Sequence, residues 1–574
     1  MSETLIGALT FSGFLLAVVV ISLYAGRREK TGTDYFLAGR TLTWGLIGFS
    51  LIASNISTEH FVGMAGKGFG VQGMDEGFSP TGLAIASYEW MSAIVLVFVA
   101  WWFLPKFLKA GIYTMPQYLE HRYDRGARTI MATLMMVAYV VVFLATVVYS
   151  GAKALNTIFD LPKVFQDQFG LTHESALTWS MVASIWLIGL IAASYTIYGG
   201  LKSVVWSDLL QGGGLLLGGI VIAILALLKI GDGSVFDGWN TFAEAQADRL
   251  HTVLEWNHPT VPWLAVFIGG LWIPNIFYWG LNQFITQRTL GAKSLAEGQK
   301  GIFLGAWLKL LIPFIIVMPG IMALHLYGPG GTGALGEGQG DSAYAYMFKQ
   351  LLPPWAWGIM LAALCGAVMS SFNSGLNSAS TIFTVDLYER YINPGADEKK
   401  VVAVGRWSTA VIVVVACLWA PMIMKLGKGV FDYIQEFWGF VSPGIVAAFL
   451  VGMLVKRAPA AAAKTVMILG IPVYACFRVP GWILDKMIGS GNLDVAEGSL
   501  WDLVHRFCTT SYLHHMGITF VILVVIMLLI TWRKPLTESR TMPVSEIDVT
   551  PYKHQYLIGG ITIAATAVLY LIFW

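Results

Sequence analysis

Apolar runs long enough to cross a bilayer recur along this chain, and one of them is interrupted in its middle by polar residues. A helix needs about 20 consecutive apolar residues to span the hydrocarbon. Runs of that kind predict fourteen spans, near 5–25, 43–66, 81–104, 128–153, 174–197, 203–229, 261–285, 300–327, 355–388, 402–424, 429–455, 462–481, 513–533 and 555–574. The second one breaks. In SLIASNISTEHFVGMAG, residues 50–66, the apolar helix pattern stops at Asn55, Ser57, Thr58, Glu59 and His60 and then resumes. Polar side chains and non-helical backbone are tolerated at that depth only where protein surrounds them or a cavity is lined. The stretch therefore predicts a broken helix at a binding site.

A second interruption lies five spans later. In FIGGLWIPNIFYWGLNQFITQRTL, Pro274 removes a backbone donor and Asn275 follows it, so the helix is expected to break or kink there. Alone, such a kink is an ordinary packing irregularity. Spans 2–6 and 7–11, however, make two sets of five, each opening on an interruption, and an odd number of spans inverts the second set. That is the signature of inverted repeats whose broken helices meet at a midplane site. The expected organisation is a first span with its cytoplasmic linker (1–42), a first repeat (43–229), an extracytoplasmic loop (230–260), a second repeat (261–456) and three peripheral spans (457–574).

Composition agrees with an all-α polytopic membrane protein. Of 574 residues, 56% are hydrophobic and 12% charged, leaving no soluble domain of any size. Lys and Arg gather in alternate connections: Arg27, Arg28, Lys30 and Arg40; Lys106, Lys109, Arg122, Arg125 and Arg128; Arg288, Lys293 and Lys300; Arg390, Lys399, Lys400 and Arg406; Lys456, Arg457 and Lys464; Arg533, Lys534 and Arg540. These mark the cytoplasmic side and put both termini outside. With a net charge of +2 and no basic patch beyond those connections, nucleic acid is excluded as a partner. The four cysteines have neither metal-ligand spacing nor a disulfide framework. GPGGTG at 328–333 lacks the Lys-Ser/Thr of a phosphate loop and reads as a turn. No catalytic constellation is present, so an enzyme is not expected. The first residues carry Glu3 and no basic leader, so the first span is expected to stay.

Other spans supply more intramembrane polar groups. The third carries Tyr88, Glu89 and Ser92, and the eighth carries Lys309. A carboxylate or ammonium at that depth needs a partner or a hydroxylated ligand, although Lys309 by itself is also open to snorkelling or to neutralising Glu89. In the ninth, Ser370, Ser374 and Asn377 form one stripe and Ser371 and Ser378 a neighbouring one. Small residues of this kind often just pack helices together. The adjacent hydroxyls of Ser370 and Ser371, with carbonyls freed at a broken helix, offer an all-oxygen shell to a hard monovalent cation. The eleventh span places Phe431 and Gln435 one turn apart, an aromatic surface beside an amide.

The sequence resembles the sodium:solute symporter family, in particular its sodium/glucose and sodium/galactose branch. The likeness is carried by DYFLAGR (34–40), the segment around Asn55, GLAIASYEWMSA (82–93), IYGGLKSVVWSD (197–208), FYWGLNQFITQRTLGAKS (277–294), VMSSFNSGLNSASTIFTVDLY (368–388) and YIQEFWGFVSPG (433–444). It implies a LeuT-like core of spans 2–11. Its sodium ion would take the carbonyls of Ala53, Ile56 and Ala367 and the hydroxyls of Ser370 and Ser371. Its sugar would meet Asn55, His60, Glu89, Ser92, Asn275, Lys309 and Gln435, with Met64, Tyr88, Tyr278, Trp279 and Phe431 as gates or stacking surface. Asp208 would lie on the path by which sodium leaves. Two departures stand out: His60, where some bacterial members carry Gln, and an expanded connection at 71–80.

The expected activity is sodium-coupled uptake of a hexose such as glucose or galactose by alternating access, with the sugar, sodium and the lipid bilayer of the cell's inner membrane as partners. Myo-inositol or another polyol or solute is the alternative within the class, with protons as the alternative coupling ion. A membrane sensor with a transporter-like fold is the alternative of another class, although the chain shows no signalling domain after its last span.

Overall fold

A straight helix of 58 residues is about 87 Å long, nearly three times the ~30 Å hydrocarbon thickness, yet residues His173–Ile230 run as one continuous helical segment. The fold-back at Gly200 resolves this. Its backbone leaves the helix at φ 51 and ψ −146, and a Cβ there would sit 2.2 Å from the carbonyl oxygen of Tyr35. Only glycine both adopts that conformation and admits that approach. Two antiparallel spans result where the apolar pattern predicts the fifth and sixth.

The computed structural model describes residues 3–27, 30–57, 59–70, 80–336, 339–426, 430–490, 492–493 and 495–574, so Thr58 and nearly all of the 71–80 connection lie outside the described residues. Within them, twelve helices are long and apolar enough to cross a membrane. Counting the two arms that meet at Gly200, and adding the interrupted second segment, gives the fourteen expected crossings. Burial sorts them. In the most apolar stretch of Pro354–Ile392, 78% of the residues are buried in protein, against 17% for Leu5–Ala25 and 22% for Gln555–Ile572. The ninth span is therefore central and the first and last face lipid.

The second segment runs as a helix over Trp44–Asn55, turns extended at Ile56 (φ −73, ψ 112) and resumes over Glu59–Met64 and Ala65–Phe69. The break falls where the polar residues interrupt the apolar pattern. The seventh differs from expectation. Helical pieces Trp263–Phe267 and Trp272–Ile276 precede a wide turn over Phe277–Leu281, and the chain is extended at Asn282 (φ −82, ψ 122) before Gln283–Leu290. Pro274 is thus inside a short helix. It sits in the first turn, where backbone N–H groups have no partner in any case, and the breaks flank it on either side.

Three arginines counted among the cytoplasmic loop charges are buried instead: Arg122, Arg128 and Arg288. Arg122 donates to the carbonyls of Gly452 (2.6 Å) and Val455 (2.8 Å), closing the end of the eleventh span. Arg128 pairs with Asp386 and Glu120, each at 2.6 Å. Burial pushes the Glu120 carboxyl up, but its bonds and attraction to Arg128 and Arg390 outweigh this and hold it below the usual range. All four cysteines are free thiols.

Gly200→Ala is expected to destabilise the protein by ~1–3 kcal/mol or more, the cost of a strained backbone plus the clash with Tyr35. Thermal unfolding of the purified protein in detergent checks it; an unchanged Tm would show that the fold-back does not depend on glycine.

Candidate functional site

The break in the second helix leaves its last carbonyls without the donors that a continuing helix supplies. Ser54 O accepts from Ser371 Oγ at 2.7 Å, and the Ser57 N–H is turned toward His60 Nδ1 at 3.4 Å. With Nδ1 accepting, the His60 ring presents Nε2 to Glu89 Oε1, 3.4 Å away. Glu89 is also held by Lys309 Nζ at 2.5 Å, both side chains being almost fully buried. Lys309 donates in addition to Asn55 Oδ1 and lies 4.9 Å from the Trp279 ring centre. A buried ammonium held by a carboxylate, an amide and an aromatic face is a paired charge rather than a snorkelling one.

The remaining groups continue this network. Asn55 Nδ2 donates to the Tyr278 hydroxyl (2.9 Å), Ser92 Oγ to Asn275 Oδ1 (2.8 Å), and Trp279 Nε1 to Ser92 Oγ (2.8 Å). Asn275 Nδ2 is buried with no hydrogen-bond partner among the described residues. Asn55, His60, Tyr88, Glu89, Ser92, Asn275, Tyr278, Trp279, Lys309 and Gln435 all line one cavity, joined by Ser54, Ser57, Ser371, Phe143 and Trp438. Its volume is about 50 Å³, room for a few water molecules. The donors and acceptors are closed on one another. Of the expected gates, Tyr88 bonds through its hydroxyl to Tyr512, Met64 is buried away from the cavity lining, and the Phe431 side chain lies outside the described residues.

A second buried cluster adjoins the first. Asp208, wholly buried in the sixth span, accepts from Ser370 Oγ (2.5 Å), Ser54 Oγ (3.1 Å) and Arg288 Nη2 (3.1 Å). Arg288 Nε also donates to Ser50 Oγ at 2.6 Å. Ser370 and Asp208, expected at separate points on an ion's route, are thus directly bonded. Ala53, Ile56 and Ala367 are buried beside this region and do not line the cavity. Ser54 belongs to the Asp208 cluster and Asn55 to the Glu89 cluster, so consecutive residues at one helix end join the two.

Arg288, Ser50, Ser54, Trp438 and Tyr512 were not singled out from the sequence. A basic residue at the foot of a broken span looks like any loop charge until its distance to Asp208, 80 residues away in the chain, is known. Ser54 alone had a signal, since it precedes Asn55 at the break.

The profile of the sodium:solute symporter family matches residues 35–164 and 170–470. The sodium/glucose cotransporter of Vibrio parahaemolyticus is 40% identical over 81% of this chain and 84% of its own length. The uncharacterized symporter YidK of Escherichia coli is 35% identical over 95% and 87%, and sodium/glucose cotransporter 1 of Ovis aries is 30% identical over 92% and 78%. Among solved structures, the substrate-bound outward-open state of a Na+-coupled sialic acid symporter superposes with a TM-score of 0.71 at 22% identity, over 94% of this chain and 100% of that one. That likeness shows a shared LeuT-like fold.

Removing Arg288 leaves Asp208 buried and unpaired, so Arg288→Met is expected to cost ~3–5 kcal/mol. Asp208→Asn with Arg288→Met should cost less than the sum of the single changes. Thermal unfolding of the four proteins measures the coupling; strict additivity would mean the pair does not act as a unit.

Proposed function

This chain belongs to the sodium:solute symporter family, and from that premise we propose that it couples inward sodium movement to uptake of a hexose such as glucose or galactose. The observation that carries the reading is the Glu89–Lys309 pair in one cavity with Asn55, Asn275 and Gln435. A hexose has neutral hydroxyls that both donate and accept. A carboxylate, an ammonium and several amides held in a closed site meet those hydroxyls with donors and acceptors alike, and require no covalent step. The names of the Vibrio and sheep relatives point the same way.

In this reading the sugar enters by exchange. Its hydroxyls replace the bonds that Lys309, Glu89, Asn55, Ser92 and Asn275 now make to one another, and the cavity widens as Tyr88 and the other gates move. His60 and Gln435 add contacts, and Tyr278 and Trp279 offer apolar faces. Sodium is the co-substrate. The carbonyls of Ala53, Ile56 and Ala367 with the hydroxyls of Ser370 and Ser371 supply oxygen ligands of the kind a hard cation takes, and Asp208, bonded to Ser370, receives the ion on its way to the cytoplasm. Holding the ion orders the end of the second helix, where Asn55 follows Ser54, so binding of either ligand favours the other.

The two repeats, 43–229 and 261–456, rock about this site while spans 12–14 stay at the periphery. Both termini lie outside the cell's inner membrane, consistent with the Lys and Arg bias of the alternate connections. One charge crossing 100 mV releases about 2.3 kcal/mol, and a tenfold sodium gradient adds about 1.4 kcal/mol. The sum supports a several-hundredfold sugar accumulation.

The decisive test is uptake of radiolabelled glucose, galactose and myo-inositol into proteoliposomes with an inward sodium gradient, and with potassium in its place. Accumulation of a hexose only with sodium is expected; no hexose accumulation under sodium would overturn the proposal. Glu89→Gln and Gln435→Ala are expected to raise the sugar half-saturation by about tenfold to a hundredfold, the worth of hydrogen bonds to charged or buried partners. Ser371→Ala should weaken sodium activation more than sugar affinity, measured as the sodium concentration for half-maximal uptake. Unchanged sodium activation would remove Ser371 from the ion site.

A further inference from the structure

Gln435 and Glu436 are neighbours on the eleventh span, Val430–Leu454, and face different surroundings. Gln435 lines the cavity, whereas Glu436 is buried against the peripheral twelfth span, Ala460–Gly489. Its carboxylate is gripped there. Arg478 donates from Nε at 2.6 Å and pairs through Nη2, and Trp482 Nε1 donates to the same oxygen at 3.2 Å. Arg478 Nη1 in turn donates to the carbonyls of Cys508 (2.6 Å) and Thr510 (3.0 Å), and His515 Nδ1 lies 3.5 Å away. The guanidinium thus joins span 11 to the connection before span 13, Tyr512–Arg533. Close packing reinforces the join: a Cβ on Gly439 would lie 2.3 Å from Tyr474 Cζ of span 12. At the head of span 13, the Tyr512 hydroxyl bonds to Tyr88 at the cavity wall.

Buried ion pairs add little net stability, and their best-attested use is to fix a register. Here the register is rotation of span 11 about its own axis. Consecutive helical residues are about 100° apart, so a turn of about 10° moves a side-chain amide ~6 Å from the axis by about 1 Å. A shift of that size is enough to lose a directional contact.

We propose that Glu436 and Arg478 are positioning residues for substrate, an ion-paired pin by which the peripheral spans 12 and 13 set the heading of Gln435 in the cavity. The inference rests on the sugar reading of that cavity. It gives spans outside the ten-helix core a share in substrate affinity, and it separates that share from the sodium site on the second and ninth spans.

Sugar and sodium kinetics of Glu436→Gln in proteoliposomes test it. The expected result is a rise of about tenfold in sugar half-saturation, as for loss of a charged hydrogen bond, with maximal rate and sodium half-activation within about twofold. Arg478→Lys, which keeps the charge but not the fork, should raise sugar half-saturation less than Glu436→Gln does. Trp482→Phe removes one bond and leaves a smaller aromatic ring, so it carries the same test if Glu436→Gln does not fold, with a smaller rise of about threefold. A second measurement needs no sugar. The rate at which an impermeant methanethiosulfonate reagent modifies Gln435→Cys should change at least about fivefold when Glu436→Gln or Trp482→Phe is added, since the thiol's exposure follows the helix's rotation. Unchanged sugar half-saturation and unchanged labelling overturn the pin. Changed labelling in a protein that moves no sugar sustains the pin and overturns the sugar reading instead.

Discussion

Among the buried carboxylates of the described spans, the two at the candidate site are each held by a cation: Glu89 by Lys309 and Asp208 by Arg288. A buried charge without a partner would cost several kcal/mol, so the spans that carry these four residues are bound to meet. Between the pairs runs the broken end of the second helix. Ser54 bonds to Asp208 and the next residue, Asn55, bonds to Lys309. One peptide unit therefore touches both clusters. In the proposed mechanism that is the source of coupling: a helix end shared by two polar sites, so that a ligand reordering one is felt at the other.

The small cavity follows from the same economy of partners. Lys309, Glu89, Asn55, Ser92, Asn275, Tyr278 and Trp279 satisfy one another almost completely, Asn275 Nδ2 excepted. In the proposed reading, a substrate enters by offering hydroxyls that replace these bonds with equally directional ones. So read, the arrangement would select for hydrogen-bonding character before size, because an apolar solute of the same volume would leave the displaced groups unsatisfied. It also means that access requires movement of the walls, and the Tyr88–Tyr512 contact makes the periphery part of that wall.

Much of this was legible before any coordinates. Polar residues inside an apolar run located the break within residues 55–60, where it falls at Ile56, and intramembrane Glu89 and Lys309 each called for a partner or a ligand without showing that they pair with one another. Other features were not. Pro274 marked the seventh span as irregular but not where it breaks, since proline in a first turn is tolerated and the breaks lie on either side, before Trp272 and at Asn282. Arg288 read as a loop charge because its sequence neighbours are polar and basic, and nothing local reveals that it reaches into the interior. His173–Ile230 read as two spans and is two spans, but the chain itself, not a loop, turns the corner at Gly200.

The sequence by itself determined the class of solvent, the number of crossings, the family and the broken helix, because each rests on hydropathy or on contiguous motifs read one segment at a time. Tertiary structure alone decided which charges pair, that Ser370 and Asp208 are bonded to each other, that Ser54 and Asn55 bridge the clusters, and that Glu436 turns outward to Arg478 while Gln435 turns inward. These are relations between residues up to 254 positions apart. Their energies come from desolvation and hydrogen-bond geometry, and neither exists until the helices are packed against one another.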